Sequence, residues 1–157
     1  HTRFRNVTGV QTCALPISVK VDVAAFGDEW ALDPAALHHV VGATARSRMR
    51  GVASGNGFVF GRCVGYHLTG VTDDTAYLQR LAVIPAARRR GVASTLVSDA
   101  LQWAVELGTR DVFVNTDVDN VAALSLYRQW GFVSVGYHLR VLECDRATLV
   151  RNLPGGP

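Results

Sequence analysis

The most constraining feature of this 157-residue chain is a strand-like run that ends at a proline and leads into a basic, glycine-containing turn. The run covers residues 77–84, and Pro85 ends it. Arg88, Arg89, Arg90 and Gly91 follow, and after them apolar residues recur at helical spacing. A strand, a tight turn and a helix N-terminus in this order aim backbone N–H groups at a bound anion.

The three arginines favour a phosphate as that anion. Guanidinium groups offer fork-shaped donors that suit phosphate oxygens. Positive charge at a helix N-terminus opposes the helix dipole, and a bound anion would remove this unfavourable interaction. Neither the Walker pattern nor the GxGxxG pattern is present, so this is not a common nucleotide loop. The alternative is an arginine-rich helix start on a solvated face.

The composition limits the class of protein. A hydrophobic content of 48% predicts one domain with a sizeable core and not a disordered chain. The net charge of +3 is mild, and the arginine cluster lacks the flanking basic residues and interleaved aromatics of a nucleic-acid groove. No apolar run approaches the length of a membrane span. We therefore expect neither a nucleic-acid nor a membrane partner.

The cysteines indicate the compartment. Cys13, Cys63 and Cys144 are odd in number and form no CxxC pair. This spacing predicts neither a zinc site nor a disulfide framework. A reducing cytoplasm fits such usage best, and we expect no bound metal.

Residues 1–17 resemble the in-frame translation of a common sequencing-adapter oligonucleotide. The stretch VTGVQTCALPI at residues 7–17 and the first three residues, HTR, follow adapter codons, and residues 4–6 would span an index barcode. The resemblance implies a bacterial-like, metagenomic fragment whose native start is lost. We expect residues 1–18 to be a non-native tail that packs poorly or only opportunistically, residues 19–150 to be the single domain, and residues 151–157 to be a flexible tail.

Apolar patterning predicts an α/β (α+β) fold with a mixed sheet. The predicted strands are residues 47–53, 58–68, 77–84, 111–116 and one or two within 132–144, and the predicted helices begin near Asp33, Gly91 and Asp117 and end near Gly42, Gly108 and Gly131.

Local patterns predict several details. Asp33 and Pro34 are typical of an N-cap and the first position of a helix. Phe26 and Trp30 are spaced to share one helix face, residues 54–57 read as a tight turn, and residues 70–74 as a loop. Alternation along residues 77–84 predicts one face with Leu78, Arg80, Ala82 and Ile84 and another with Tyr77, Gln79, Leu81 and Val83.

A second informative segment is NVAALSLYRQWGF at residues 120–132. Asn120 stands at a helix start, where its amide can cap the helix or bind a ligand. Tyr127 follows about two turns later on the same face, and its phenol can hydrogen-bond a thiol leaving group. Taken alone, a capping asparagine and a core tyrosine explain these residues better.

Together, the two segments resemble the GNAT superfamily of acetyl-CoA-dependent N-acyltransferases. Arg-x-x-Gly-x-Ala at residues 88–93 matches its coenzyme A pyrophosphate site, and Asn-x-x-Ala-x-x-Leu-Tyr-x-x-x-Gly-Phe at residues 120–132 matches its fourth helix. The resemblance covers about residues 19–144, and residues 114–116 and 126–127 look most like the peptide and protein N-terminal acetyltransferase branch. It implies a mostly antiparallel sheet flanked by helices, here lacking the native first strand.

The resemblance also implies residue roles. The pantetheine arm of acetyl-CoA would pair, like an added strand, with the backbone of residues 81–83. A strand amide would polarise the thioester carbonyl. Amides of residues 89–94 would hold the pyrophosphate, and Tyr127 would protonate the departing thiolate. The implied catalytic residue is Tyr127, and the implied cofactor-binding residues are Leu81, Ala82, Val83, Arg88, Arg89, Arg90, Gly91, Val92, Ala93, Ser94, Asn120 and Tyr127.

No general base stands out for the amine proton. Many relatives carry a glutamate on the central strand or the next one, where this chain has Tyr77, Gln79 and Asn115. The candidates are Asp73, Asp74, Asp117, Asp119, His67 and His138, and the four aspartates read better as turn or capping residues. The alternative is a water relay to bulk solvent.

We therefore expect an acyltransferase that moves an acetyl group from acetyl-CoA to a primary amine by direct attack. The amine would belong to a protein N-terminus or a small molecule, and Asp28, Glu29, Trp30 and Tyr137 are candidate acceptor contacts. The alternative is a catalytically degenerate GNAT module that binds CoA and acts as a sensor or partner domain.

Overall fold

The computed structural model describes residues 10–54 and 63–136. Its strands are β1 (Gln11–Thr12), β2 (Arg46–Ala53), β3 (Cys63–Thr72), β4 (Thr75–Val83) and β5 (Asp111–Val114), and its helices are α1 (Leu15–Phe26), α2 (Pro34–Val41), α3 (Val92–Glu106) and α4 (Val121–Gln129). The chain forms two compact units, residues 1–126 and 127–157. The second is described only for residues 127–136, which hold the end of α4 and the segment after it. Among the described helices, none has the length and apolar character to cross a membrane.

Some predictions fall partly or wholly outside the described residues. These are most of the turn at 54–57, the first part of the strand at 58–68, residues Tyr137 and His138, and the tail at 151–157. Of the strands predicted within 132–144, only residues 132–136 are described, and they form no strand. The single domain of residues 19–150 stays a prediction.

The five described strands form one mixed sheet in the order β1-β2-β3-β4-β5. The first three neighbouring pairs are antiparallel, and β4 pairs with β5 in parallel. Parallel neighbours need a long crossover connection, and α3 supplies it between β4 and β5. The predicted mixed, mostly antiparallel sheet flanked by helices is confirmed.

Alternate residues of β3 pack against different helices. Tyr66 and Leu68 belong to a core with α1 and α2, whereas His67 hydrogen-bonds Asp99 of α3. The first core contains Val21, Leu37, Tyr66, Leu68 and Ala82, and the second, under α3, contains Val52, Val64, Ala87, Val92 and Leu96. The sheet therefore separates α1 and α2 from α3.

A β-bulge in β4 changes the predicted alternation. Leu68 of β3 lies opposite Arg80 and Thr69 lies opposite Leu78, so Gln79 is an extra residue in β4. Gln79 and Arg80 both contact the side of α1 and α2, through Val40 and Asp22 respectively. The prediction is therefore wrong for Tyr77, Leu78 and Gln79. Leu78 shares the α3 face with Leu81 and Val83, whereas Tyr77 and Gln79 share the opposite face with Arg80 and Ala82.

Helix caps follow the sequence signals, but two local predictions are wrong. Asp33 accepts a hydrogen bond from Ala36 N at 2.7 Å, so it caps α2 as predicted. Phe26 and Trp30 do not share a helix face, because α1 ends at Phe26 and Gly27 follows with a φ of 73°. Residues 70–72 belong to β3 and not to a loop, since Val71 packs on Ala76 and Ala104 and a two-residue turn suffices.

The described part of the N-terminus packs on the sheet. Gln11 and Thr12 pair with Gly51 and Arg50 of β2, and Cys13 is only 3% exposed. Ile17 contacts the core under α1. Of the described tail residues, Gln11, Thr12, Ala14 and Pro16 are exposed, so the expectation that the tail packs poorly or only opportunistically stays a prediction.

A buried carboxylate connects the first helix to the sheet. Asp22 is fully buried and accepts hydrogen bonds from Arg80 Nε (2.9 Å), Arg80 Nη2 (2.7 Å), Tyr66 Oη (2.6 Å) and Leu32 N (2.7 Å). These donors belong to β4, β3 and the segment between α1 and α2. Burial of the ring, together with the bond to Asp22, raises the pKa of Tyr66 above its ordinary range, so the phenol stays a donor. One side chain thus fixes four segments of the fold.

Replacing Asp22 by asparagine is expected to lower the free energy of unfolding by about 3 kcal/mol or more, because Arg80 loses its charged partner inside the protein. Asp28→Asn is the matched control, since Asp28 is exposed and its loss should cost less than about 0.5 kcal/mol. Urea denaturation measures both. Equal stabilities for the two variants would show that the Asp22 network does not hold the fold.

Candidate functional site

The arginine-rich turn has an unusual backbone. A single 3-10 turn, Pro85–Ala87, follows β4, and Arg88 then returns to an extended conformation. Arg89 has a φ of 60° and Gly91 a φ of 79°, so two left-handed residues bracket Arg90. All three arginines are exposed. The chain therefore reverses sharply and presents its charges to solvent just before α3 begins.

The N-terminus of α3 is open to a ligand. Gly91 occupies the N-cap position, and no side chain caps the helix. The first turn contains no acidic residue that would offset the helix dipole. The first amides of a helix lack intrahelical partners, so backbone donors and positive charge coincide here. The predicted start of the helix at Gly91 is confirmed.

Arg88 is already engaged with protein carbonyls. Its Nη2 donates to Ala25 O at 2.8 Å, and its Nε donates to Val83 O at 3.2 Å. Ala25 lies in the last turn of α1, where a cation is favourable and carbonyls lack intrahelical partners. In this structure Arg88 thus joins the turn to α1 and to the end of β4, while the side chains of Arg89 and Arg90 extend into solvent.

Beyond Leu78, β4 has an unpaired edge. The parallel pairing of β4 with β5 runs from Thr75–Asp111 to Leu78–Val114, yet β4 continues to Val83. In the described part of the chain, residues 79–83 therefore have a strand partner only on the β3 side. This edge leads directly to the arginine-rich turn, and it includes the predicted residues Leu81, Ala82 and Val83.

A cleft of about 260 Å³ opens where β4 and β5 stop pairing. The rings of Tyr77 and Phe113 stack beside it with centroids 6.1 Å apart, and both are partly exposed. The lining residues are Tyr77, Leu78, Gln79, Phe113, Val114 and Asn115. The cleft thus combines an aromatic wall with two amide side chains and adjoins the unpaired edge.

The remaining predicted residues lie on α4. Asn120 Oδ1 accepts a hydrogen bond from Ala123 N at 3.1 Å, so this side chain caps the helix. Tyr127 is 8% exposed, and its ring packs edge-on against Phe132. Burial raises the pKa of Tyr127 to about 12, so its phenol keeps its proton at neutral pH. A buried, protonated phenol has the chemistry of a proton donor.

The candidates for a general base are engaged elsewhere. His67 is fully buried on the α3 face, and its ring nitrogens bond Asp99 Oδ2 (2.9 Å) and Thr69 Oγ1 (2.8 Å). Burial by itself would raise the pKa of Asp99, but the hydrogen bond to His67 and the charges of His67, Arg48 and Arg50 lower it overall. This ion network links β2 and β3 to α3.

The four aspartates considered as general bases belong to local turns, a hydrogen bond and an ion pair. Asp74 pairs with Arg110 at 2.8 Å, and Asp117 accepts a hydrogen bond from Asp119 N at 3.0 Å. Asp73 occupies the β3–β4 turn with a φ of 54°. Among the described residues no group of three His, Cys, Asp or Glu side chains could hold a metal ion.

The sequence-based prediction missed two features of the site. The bulge at Gln79 leaves no mark in the sequence, because it is defined by the register with β3. The pairing of Arg80 with Asp22 did leave a signal, a lone arginine in an apolar strand and a lone aspartate in an apolar helix. Charged residues that interrupt two apolar segments are expected to pair when both segments pack together.

Comparison with known proteins places the chain among acetyltransferases. A sequence model of the Acetyltransferase (GNAT) family matches residues 23–132. The chain is 32% identical over 105 residues to N-alpha-acetyltransferase MAK3 of Arabidopsis thaliana. The aligned region covers 62% of this chain and 55% of that protein. The chain thus spans about half the length of the curated relatives it matches.

Solved structures share the fold at low sequence identity. The ribosomal-protein-S18-alanine N-acetyltransferase from Escherichia coli superposes with a TM-score of 0.65 at 19% identity, covering 80% of this chain and 76% of that one. An aminoglycoside acetyltransferase from an uncultured soil metagenomic sample, in complex with sisomicin, also gives 0.65 at 19% identity, covering 87% and 97%. These similarities establish the fold.

The approach of α3 to the sheet depends on Gly65 of β3, which lies opposite Val83. A Cβ there would come within 2.9 Å of both Ala82 O and Val92 Cγ1. We expect Gly65→Ala to lower the free energy of unfolding by about 1–3 kcal/mol, since the first turn of α3 must shift. Gly42→Ala is the control, because a Cβ there meets nothing closer than 3.6 Å. Chemical denaturation compares them, and a neutral Gly65→Ala would contradict this close packing.

Proposed function

The chain belongs to the GNAT family of acetyltransferases, and from that membership we propose that it transfers an acetyl group from acetyl-CoA to a primary amine. The amine belongs to a protein N-terminus or to a small molecule. Relatives support both classes: one is named an N-alpha-acetyltransferase and another an aminoglycoside N(6')-acetyltransferase.

The observation that carries this proposal is the continuity of the unpaired β4 edge with the arginine-rich turn. An extended pantetheine arm can add to the backbone of Leu81, Ala82 and Val83 as a further strand. Its pyrophosphate then reaches the first turn of α3, where the uncapped helix end and the exposed arginines favour two phosphates. A strand edge and an anion site in this order suit a ligand with one extended and one anionic part.

The donor site we propose uses the backbone more than the side chains. Amides of Arg89, Arg90, Gly91, Val92, Ala93 and Ser94 hold the pyrophosphate, and Arg88 and Arg90 add charge. Arg88 can do so while keeping its carbonyl partners, because Val83 O and Ala25 O engage only Nε and Nη2 of a guanidinium that has further N–H donors. Asn120 caps α4 through Oδ1, which leaves its Nδ2 donors for the pantetheine arm.

The thioester carbonyl is expected at the cleft between β4 and β5, where a β4 amide polarises it. The amine nitrogen attacks the carbonyl carbon, the C–S bond breaks, and the CoA thiolate takes a proton from Tyr127. The proton released by the amine passes to water, and Tyr127 regains its own from solvent. A phenol with a pKa of about 12 is protonated at the start of each cycle.

A second candidate function is that of a CoA-binding module without catalysis. It is favoured by the lining of the cleft, because the described lining residues offer phenol, amide and apolar groups and no carboxylate or imidazole that could act as a base. A water relay would have to replace a side-chain base in an active enzyme. Release of free CoA in the presence of an amine distinguishes the two functions.

We expect acetyl-CoA to stabilise the protein. A concentration one hundred times the Kd raises the free energy of unfolding by about 2.7 kcal/mol. Arg90→Ala is expected to weaken binding about three- to tenfold in isothermal titration, since one charge–phosphate contact is lost. Arg110→Ala, an exposed arginine outside this turn, is the matched control and should bind normally. Equal affinities of the two variants would count against the pyrophosphate site.

Turnover is measured with acetyl-CoA against kanamycin, spermidine, phenylalanine amide and a short peptide with a free N-terminus. We expect Tyr127→Phe to lower kcat by about a hundredfold, because the thiolate leaves without its acid, while the Kd for acetyl-CoA stays the same. An unchanged kcat would remove Tyr127 from the reaction. Binding of acetyl-CoA by the wild type without CoA release for any amine would favour the non-catalytic module.

A further inference from the structure

We propose that Arg80 is a positioning residue for the amine acceptor, because it fixes the segment of residues 27–32, here called the acceptor loop, beside the unpaired edge of β4. This inference rests on the proposed transfer of an acetyl group. It assigns to Arg80 a part that neither the predicted donor site nor the comparisons gave it.

The acceptor loop is held at two points in its second half. Arg80 Nη2 donates to Trp30 O at 2.8 Å, and Leu32 N donates to Asp22 Oδ2 at 2.7 Å. The same Arg80 group binds Asp22 Oδ2 at 2.7 Å, and its Cζ lies 3.9 Å from the centre of the Phe26 ring at the end of α1. The loop backbone is therefore attached to a buried ion pair, and the helix end just before the loop makes a cation–π contact with the same arginine.

These attachments place the loop next to the proposed donor site. Arg80 belongs to the part of β4 that has no β5 partner, and it directly precedes the residues assigned to pantetheine, Leu81, Ala82 and Val83. Arg88 of the arginine-rich turn bonds Ala25 O, just before the loop. The strand edge is thus connected to the acceptor loop through Arg80, and the arginine-rich turn is connected through Arg88 to the helix end just before the loop.

The loop combines a fixed backbone with exposed side chains. Trp30 is 71% exposed although its carbonyl is bonded, and Asp28 and Glu29 next to it are exposed as well. A large aromatic ring held in solvent on a fixed backbone loses little entropy when it contacts a ligand. The side chain of Trp30 is the part of the loop that we expect an acceptor to touch.

Arginine is needed at position 80 because the side chain must make two parallel hydrogen bonds in one plane. Its Nε and Nη2 bind the two Asp22 oxygens in parallel, and Nη2 also reaches the Trp30 carbonyl. A lysine keeps the charge but has one nitrogen, so it cannot hold both Asp22 oxygens and the carbonyl in this geometry. Arg80→Lys therefore separates charge from positioning.

The test compares Arg80→Lys with Arg110→Lys, a matched change in the exposed pair with Asp74. Amide hydrogen exchange of residues 27–32, measured without substrate, should become about tenfold faster in Arg80→Lys alone. The KM for the best amine among kanamycin, spermidine, phenylalanine amide and the N-terminal peptide should rise about tenfold, while kcat and the Kd for acetyl-CoA change less than twofold. A purely structural role would lower donor affinity and kcat together with acceptor affinity.

If Arg80→Lys folds but leaves either loop exchange or the acceptor KM unchanged, the proposal is wrong. If it does not fold, Trp30→Ala decides, since this exposed side chain can be removed without harm to the core: a raised acceptor KM supports the acceptor loop, and an unchanged KM overturns it. If the wild type acetylates no amine, the proposed function fails and the acceptor role of Arg80 falls with it. Loop exchange then still shows whether Arg80 holds the segment.

Discussion

The burial of one carboxylate is the constraint on which much of this structure depends. Asp22 lies within the packing of α1 on the sheet, where an unpaired charge would cost several kcal/mol. It is tolerated because two arginine nitrogens, a phenol and a backbone amide all meet it at hydrogen-bond distance. Four donors from three segments can converge on Asp22 of α1 only when helix, strands and connecting loop are in register. The pair therefore contributes more to the uniqueness of the arrangement than to net stability.

Strand β4, which carries Arg80, has two geometries along its length. Up to Leu78 the strand is regular and flanked by β3 and β5; from the bulge at Gln79 onward it is flanked only by β3 among the described residues. Bulges increase local twist and turn side chains to new directions. Here the bulge brings Gln79 and Arg80 to one face, so that Arg80 can reach Asp22 while the strand edge stays open. The bulge at Gln79 is thus the common origin of two features. One is the divergence of β4 from β5 that opens the cleft, and the other is the ion pair of Arg80 with Asp22 that holds α1.

Features set by neighbouring residues could be predicted from the sequence, and features set by distant ones could not. The cap at Asp33, the start of α3 after Gly91 and its end near Gly108 each follow from two or three adjacent residues. The face of Leu78 was predicted wrongly because it depends on the register of β4 with β3, where Leu78 lies opposite Thr69. Trp30 was assigned to a helix that Gly27 ends. The arginine-rich turn was recognisable, but the attachment of Arg88 to Ala25 required the fold, since the two residues are far apart in sequence.

The left-handed conformation of Arg89 has a consequence for how this position can vary. A non-glycine residue at a φ of 60° carries strain of about 1 kcal/mol, which glycine would relieve. Glycine, however, gives the unfolded chain more conformational freedom, at a cost of roughly 0.4–1 kcal/mol. The two effects nearly cancel, so selection for thermal tolerance has almost no preference between arginine and glycine here. Folding stability therefore gives no reason for arginine at position 89, and the charge that it presents beside the first turn of α3 can be exchanged at almost no cost to the fold.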